Sequence, residues 1–165
     1  MKNLISSLLT GVVLTAGITA PIYAESKSDD QQFQEQELQC LALNIYYEAR
    51  GSNLADKAAV ADVVINRSQD RRYPSSICGV VHDGYKPGRR DCQFSWYCDG
   101  KSDEPRDMDR WYEAKTIAYN MLEYNTWRGI SEGATHYHAN YVKPFWADSL
   151  QMVGRIGAHI FYRWE

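Results

Sequence analysis

The spacing of apolar residues changes along this 165-residue chain, from a helical repeat to an alternating one. In the stretches 38–50, 54–67 and 108–124, apolar side chains recur every three or four positions, which predicts three amphipathic helices. Further along, "ATHYHA" and "RIGAHIFYRW" alternate apolar with polar residues, which is typical of β-strands. Helices that precede strands, rather than alternating with them, predict an α+β fold in which a helical N-terminal part packs on a small antiparallel sheet.

The first helical stretch contains an acid in the sequence "NIYYEARG". Glu48 lies three residues after Ile45 and seven after Leu41, so a helix places it on or beside the apolar stripe. Burial disfavours the charged form of a carboxyl group and raises its pKa, and a protonated glutamate is what glycosidic cleavage needs as a general acid. The sequence also allows a structural ion pair with Arg50 or Arg67, and it leaves both interpretations open.

The N-terminus is typical of an export signal. Residues 1–24 combine Lys2, an apolar run and small residues that permit cleavage after Ala24, although a membrane anchor is the alternative. Residues 25–36 are polar and are predicted to form a solvated linker. Residues 37–165 then suffice for one domain with its own core. We therefore expect an exported protein, in the periplasm, cell wall or outside the cell, with no stable membrane insertion after cleavage.

Four cysteines follow the predicted cleavage site, and an even number in an exported chain predicts two disulfides. Their spacings contain no Cys-x-x-Cys pair and match no common structural zinc module. Zinc is therefore the less favoured alternative, and the sequence leaves all three disulfide pairings open. The cysteines are Cys40, Cys78, Cys92 and Cys98.

The charge and the aromatic content limit the possible partners. A formal net charge of −3 argues against a nucleic-acid partner, which favours a basic surface. The chain has 12 tyrosines and 5 tryptophans, and several fall in predicted loops, where their flat rings suit carbohydrate faces or fill a small core. These loop aromatics are Tyr73, Tyr85, Trp96, Tyr97, Trp127, Tyr141 and Trp146.

The sequence "THYH" places His136 and His138 on one face of a predicted strand. Together with His82 or His159 they would suffice to hold zinc, but the His-Glu-x-x-His pattern of zinc peptidases is absent. We therefore expect these histidines to orient neighbouring groups or to serve the fold, and we predict no metal and no cofactor.

Several motifs, in order along the chain, resemble the cell wall hydrolases of the spore-cortex-lytic enzyme type. They are "LALNIYYEARGSNLADKAAVADVVINR", "YPSSICGVV", "CQFSWYCDG" and "GATHYHANYVKPFWA", followed by "IGAHIFYR". The resemblance extends from Cys40 to Arg163. It implies a lysozyme-like α+β fold, peptidoglycan as substrate, and lytic transglycosylase action between N-acetylmuramic acid and N-acetylglucosamine.

The resemblance also implies roles for individual residues. The family's catalytic acid and base falls on Glu48, and a threonine implicated in the family's active site falls on Thr135. We expect a monomer whose partner is the peptidoglycan glycan strand. Substrate binding is assigned to residues in the same motifs: Tyr47, Phe94, Ser95, Trp96, His136, Tyr137 and His138.

Two other functions remain as alternatives from the sequence. A zinc-dependent wall amidase or peptidase would use His136 and His138, and a non-catalytic wall-binding module would use the aromatic side chains alone. Ordinary glycoside hydrolysis would require a second carboxylate beside Glu48. The candidates for that second carboxylate are Asp91, Asp99 and Glu132.

Overall fold

The computed structural model describes residues 28–165, so the predicted signal at 1–24 lies outside the described residues. The described part is α+β, with helices first and a three-stranded sheet last, as the sequence predicts. None of its helices has both the length and the apolar character needed to span a membrane. The helices are α1 (Asp29–Ala49), α2 (Leu54–Ser68), α3 (Ile77–Val81) and α4 (Met108–Tyr124); the strands are β1 (His136–Ala139), β2 (Gln151–Ile156) and β3 (His159–Arg163).

Helix α1 begins nine residues before the predicted start. Ser28 caps the helix in a reciprocal capping box with Gln31, and Asp29 and Asp30 in the first turn favour the helix dipole. The periodicity missed this segment because the side chains of residues 29–36 are all exposed and form no apolar stripe. The helix therefore crosses the proposed linker boundary at 36/37, and the domain limits stay predictions.

Helix α2 begins after Asn53, whose side chain accepts a hydrogen bond from the backbone of Asp56, as predicted from the sequence. Its small residues Ala58 and Ala61 are fully buried, which permits close approach of neighbouring helices. Helix α1 packs against α2, α3 and α4. The shared core includes Leu41 and Ile45 of α1, Val64 of α2, and Trp111 and Met121 of α4.

The sheet has the order β1–β3–β2 and is antiparallel throughout. The prediction of one strand over "RIGAHIFYRW" was wrong, because this segment holds the turn of the β2–β3 hairpin. Gly157 has φ of +58°, and a Cβ there would come within 2.7 Å of the Asp56 side chain. One sheet face, with Tyr137 and Phe161, packs on Val60 and Val63 of α2. The hairpin is thereby held against the helices.

The four cysteines form two disulfides, Cys40–Cys78 and Cys92–Cys98. The first joins α1 to α3 across 38 residues, and the second closes a loop of only 6. Both are present in the described structure, which confirms the prediction of disulfides and settles the pairing.

Removing Cys40–Cys78 by double serine substitution is expected to destabilise the protein more than removing Cys92–Cys98 in the same way. In the chain-entropy model the longer loop restricts the unfolded state more, by a difference of about 1.5 kcal/mol. Urea unfolding of the two double variants measures this difference. An equal or larger loss from the short-loop variant would contradict the expectation.

Candidate active site

Glu48 lies in the last turn of α1 and is half-buried. Its Oε2 accepts a hydrogen bond of 3.2 Å from the hydroxyl of Tyr137 in β1. Burial raises the pKa of Glu48 above its ordinary value, and this outweighs the lowering by the Tyr137 hydrogen bond, by His159 and by Arg67. The side chain is therefore a carboxyl group whose charged form is disfavoured by burial, at the junction of the helices and the sheet.

The structural alternative for Glu48, an ion pair with Arg50 or Arg67, does not form in residues 28–165. Arg50 lies over the ring of Tyr46, 5.2 Å from its centroid. Glu48 makes no contact within ion-pair distance of any described basic side chain. Its polar partner in the described structure is a neutral phenol, so the fold does not fix the carboxyl group in its charged state.

Tyr137 donates to Glu48 from the inner face of the sheet. Its ring lies 5.2 Å from that of His159 and 5.8 Å from that of Phe161. Burial, followed by the proximity of Glu48, raises the pKa of Tyr137 well above its usual range. The phenol thus keeps its proton and can donate to either protonation state of Glu48.

Arg67, at the end of α2, is buried among aromatic rings. Its Nε donates to the carbonyl oxygen of Thr135 at 2.6 Å, and its guanidinium lies 5.3 Å from the Tyr73 centroid and 5.5 Å from that of Phe94. Its Nη1 finds no hydrogen-bond partner in the described structure. Burial lowers the pKa of Arg67, while Tyr137, Tyr73, Asp83 and Glu48 raise it. Arg67 therefore contributes positive charge close to the acid without pairing with it.

Tyr47, which precedes Glu48 in sequence, forms an aromatic wall with Trp96. Their rings stack 4.7 Å apart at 17°, and the indole of Trp96 donates to Asn44 Oδ1 at 3.4 Å. Both rings line a cavity of about 210 Å³. Its other lining residues are Arg50, Asp99, Lys101, Ser102 and Asp103. A cavity with an aromatic wall and polar rim suits a sugar or a peptide carried on a sugar.

Phe94, Ser95 and Thr135, which the sequence also predicts as site residues, are not among the residues that line this cavity. Phe94 is buried beneath Arg67, whereas Ser95 is exposed at the start of a short 3₁₀ helix. Thr135 is buried, and its hydroxyl lies 3.0 Å from Nδ1 of His136. The described contacts of Thr135 connect it to Arg67 and His136, and its role stays a prediction.

His136 and His138 share one face of β1, as predicted, but it is the face opposite Tyr137. His138 is buried; its Nδ1 donates to Ala139 O at 2.9 Å, so its Nε2 accepts from the Tyr162 hydroxyl at 3.0 Å. The ring of His136 lies 5.3 Å from that of Trp146. Burial first, and then nearby arginines, lower the pKa of His136 to about 4. Both rings thus belong to an aromatic cluster behind the sheet.

The four histidines do not converge on one point. His82 stacks on Tyr97, and His159 binds Asp56 on the inner face of the sheet. Within residues 28–165, no group of three or more His, Cys, Asp or Glu side chains is arranged to hold a metal ion. The described residues thus give no geometric support to a zinc-dependent mechanism through His136 and His138.

The raised pKa of Glu48 has a consequence for stability. A carboxyl group whose pKa is higher in the folded than in the unfolded state favours folding below its unfolded pKa. That contribution is lost as the pH rises through the folded-state pKa. Glu48→Gln is therefore expected to gain stability relative to the parent as the pH rises. Urea unfolding of both proteins at about pH 4 and about pH 8 measures this; a constant difference would contradict it.

Comparison with known proteins shows the family and the fold of this chain. The model of the Cell Wall Hydrolase family matches residues 51–162, beginning three positions after Glu48. The spore cortex-lytic enzyme of Halalkalibacterium halodurans is 28% identical over 130 residues, covering 78% of this chain and 35% of that protein. The enzyme of the same name from Bacillus subtilis is also 28% identical over 130 residues, covering 78% and 38%. The chain thus spans little more than a third of the length of these curated relatives.

Two solved structures share the fold. The catalytic domain of the germination-specific lytic transglycosylase SleB from Bacillus anthracis aligns with a TM-score of 0.60 at 23% identity, covering 78% of this chain and 95% of that one. The catalytic domain of the Bacillus cereus SleB protein aligns with a TM-score of 0.60 at 24% identity, covering 78% and 91%. These alignments confirm the lysozyme-like α+β fold. Because the family model spans most of the described residues, this chain belongs to the cell wall hydrolase family.

Proposed function

We propose that this chain cleaves the glycan strands of peptidoglycan as a lytic transglycosylase, with Glu48 as general acid and general base. The observation that carries the proposal is the half-buried Glu48 carboxyl group, with its raised pKa and its hydrogen bond from Tyr137. A lysozyme-like fold and relatives named spore cortex-lytic enzymes support the same substrate class. The bond cleaved is the one between N-acetylmuramic acid and N-acetylglucosamine.

In this mechanism Glu48 gives its proton to the glycosidic oxygen as the bond from that oxygen to C1 of the muramic acid breaks. The C6 hydroxyl of the same sugar attacks C1, and the Glu48 carboxylate takes the hydroxyl proton. The products are a 1,6-anhydro ring and a free hydroxyl on the leaving sugar. No water is consumed, and Glu48 ends the cycle protonated.

The surroundings of Glu48 support one carboxylate rather than two. Among residues 28–165, the side chains that shift its pKa are those of Tyr137, His159 and Arg67, none of which carries a carboxyl group. Of the three acids considered for hydrolysis, Asp91 pairs with Arg89, and Glu132 is exposed in the loop before β1. Asp99 lines the cavity of Tyr47 and Trp96, but its carboxylate is paired with Lys101. Two-carboxylate hydrolysis therefore has less support than internal attack by the C6 hydroxyl.

The remaining site assignments are part of the proposal. Tyr47 and Trp96 would contact the glycan at the cavity that they line, and Thr135 would orient the carboxyl group or an N-acetyl group. Binding roles for Phe94, Ser95, His136 and His138 have less support, because two of these side chains are buried, one is exposed outside the cavity, and His136 belongs to the aromatic cluster behind the sheet. The protein would act as an exported monomer in or near the cell wall.

Mass analysis of digested peptidoglycan tests this function. Purified peptidoglycan is incubated with the protein, and the soluble fragments are compared with those released by a hydrolytic lysozyme as control. Anhydro-muramic ends are expected. Reducing muramic ends would indicate hydrolysis, released peptides would indicate an amidase, and the absence of soluble products would indicate binding only. Each of the last three results would overturn the proposal.

A further inference from the structure

A buried aspartate and a buried histidine lie close to Tyr137. Asp56 is in the first turn of α2, where acids are normally solvated, yet its side chain is fully buried. Its Oδ1 accepts from His159 Nδ1 at 2.8 Å, and its Oδ2 accepts from the backbone of Ala158 at 3.0 Å. Both carboxylate oxygens are thus used to hold the last turn residue, Ala158, and the first residue of β3, His159.

His159 connects this carboxylate to the candidate acid. Its ring is buried and meets the ring of Tyr137 edge to face at 5.2 Å and 78°. Because Nδ1 donates to Asp56, the orientation of the imidazole is set by that hydrogen bond. Tyr137 then donates to Glu48 Oε2 at 3.2 Å. A continuous series of contacts therefore runs from Asp56 in α2 through β3 and β1 to α1.

We infer that Asp56 and His159 form a positioning pair that holds Tyr137 in the orientation from which it donates to Glu48. The inference rests on the proposed function, because it assigns a role in that reaction. This role differs from anchoring the hairpin. Anchoring requires the hydrogen bond between Asp56 and His159, but it does not require the edge-to-face contact between the rings of His159 and Tyr137.

The groups that face Glu48 from neighbouring elements are Tyr137 of β1, His159 of β3 and Arg67 of α2. His159 and Arg67 each lower the pKa of Glu48, opposing the effect of burial. Disturbing His159 should therefore raise the pKa of the acid and move the alkaline limb of activity to higher pH. A weaker acid also gives up its proton less readily, so kcat should fall.

Two variants separate positioning from anchoring. His159→Asn places an amide N–H where Nδ1–H stood, so it can keep the bond to Asp56 while removing the ring from Tyr137. Asp56→Asn keeps the shape of the carboxylate but presents an amide to the histidine, which disturbs its proton position. Lys57→Met is the matched control, because this buried neighbour on α2 pairs with Glu113 of α4 instead.

The expected result is a loss of kcat of about tenfold in His159→Asn and Asp56→Asn, with little change in KM and a shifted alkaline limb. Lys57→Met is expected to lose stability while keeping the kcat and pH profile of the parent. If His159→Asn and Asp56→Asn lose only stability and keep the parental kcat and pH profile, the pair is an anchor and the inference is overturned.

A second measurement does not depend on these variants folding or on activity. In the parent protein, the NMR signals of the His159 ring should shift at the pH where Glu48 titrates, and Glu48→Gln should abolish that inflection. A His159 ring unaffected by Glu48→Gln would overturn the inference. If the parent cleaves no peptidoglycan but the inflection is present, the proposed function fails while the coupling of the pair to Glu48 stands.

Discussion

Replacing Glu48 with glutamine is expected to reduce the release of anhydro-muramic fragments from peptidoglycan by about 1,000-fold or more. General acid–base catalysis by one side chain typically contributes about 10²- to 10⁴-fold, and here the same carboxyl group serves both steps. Glutamine has no proton of suitable acidity to give and no carboxylate to receive one. Because Tyr137 can still donate to the amide oxygen, the fold around the site should be kept.

The measurement is the initial rate of soluble fragment release, with thermal unfolding as the check on folding. Glu132→Gln is the matched control: the same substitution at an exposed acid in the loop before β1, expected to leave the rate within about twofold. If folded Glu48→Gln retains a tenth of the parental rate, Glu48 is not the acid. If Glu132→Gln instead loses activity, a second carboxylate takes part and the internal mechanism is wrong.

The sequence predicts the helices well where the signals are local. Helix α4 spans Met108–Tyr124, as its apolar repeat predicts, and Asn53 caps α2 as its side chain suggests. The start of α1 was missed because its first two turns are stabilised by a cap and not by burial. The β2–β3 hairpin was missed because Gly157 continues the alternation in composition, while its positive φ makes it a turn.

The same distinction applies to the candidate site. The burial of Glu48 follows from its position relative to Ile45 on one helix, which the sequence shows directly. Its contact with Tyr137 joins residues 89 positions apart, and only the packing of β1 on α1 brings them together. Asp56 has no sequence feature that separates it from an ordinary first-turn acid. The role of Asp56 depends on the β2–β3 hairpin, which approaches α2 at Gly157. Only the folded structure shows this approach.

The second large effect is expected from Asp62, which holds the loop between α4 and β1. Asp62 is fully buried on α2. Its Oδ1 accepts from Arg128 Nη1 and from Gly129 N at 3.2 Å, and its Oδ2 accepts from Ser131 N at 3.1 Å and Ser131 Oγ at 2.6 Å. The loop has left-handed backbone at Asn125, with φ of 54°, and it lacks helix or strand pairing of its own. One carboxylate therefore ties three residues of this loop to α2, in addition to the backbone hydrogen bonds within its turns.

Asp62→Ala is expected to lower the free energy of unfolding by about 3–5 kcal/mol, because it leaves the half-buried guanidinium of Arg128 without its carboxylate and the buried donors of Ser131 without their acceptor. Asp62→Asn keeps the shape and one acceptor oxygen, so its loss should be smaller, about 1–3 kcal/mol. Asp109→Ala, an exposed acid in the first turn of α4, is the control and should cost at most about 1 kcal/mol. Urea unfolding gives the three values. If Asp62→Ala costs no more than Asp109→Ala, water replaces the carboxylate and the loop is ordered by its own packing. If the order of the three holds, Asp62 is a main anchor of the path from α4 to β1, beside the hydrogen bond from Arg67 to the carbonyl oxygen of Thr135.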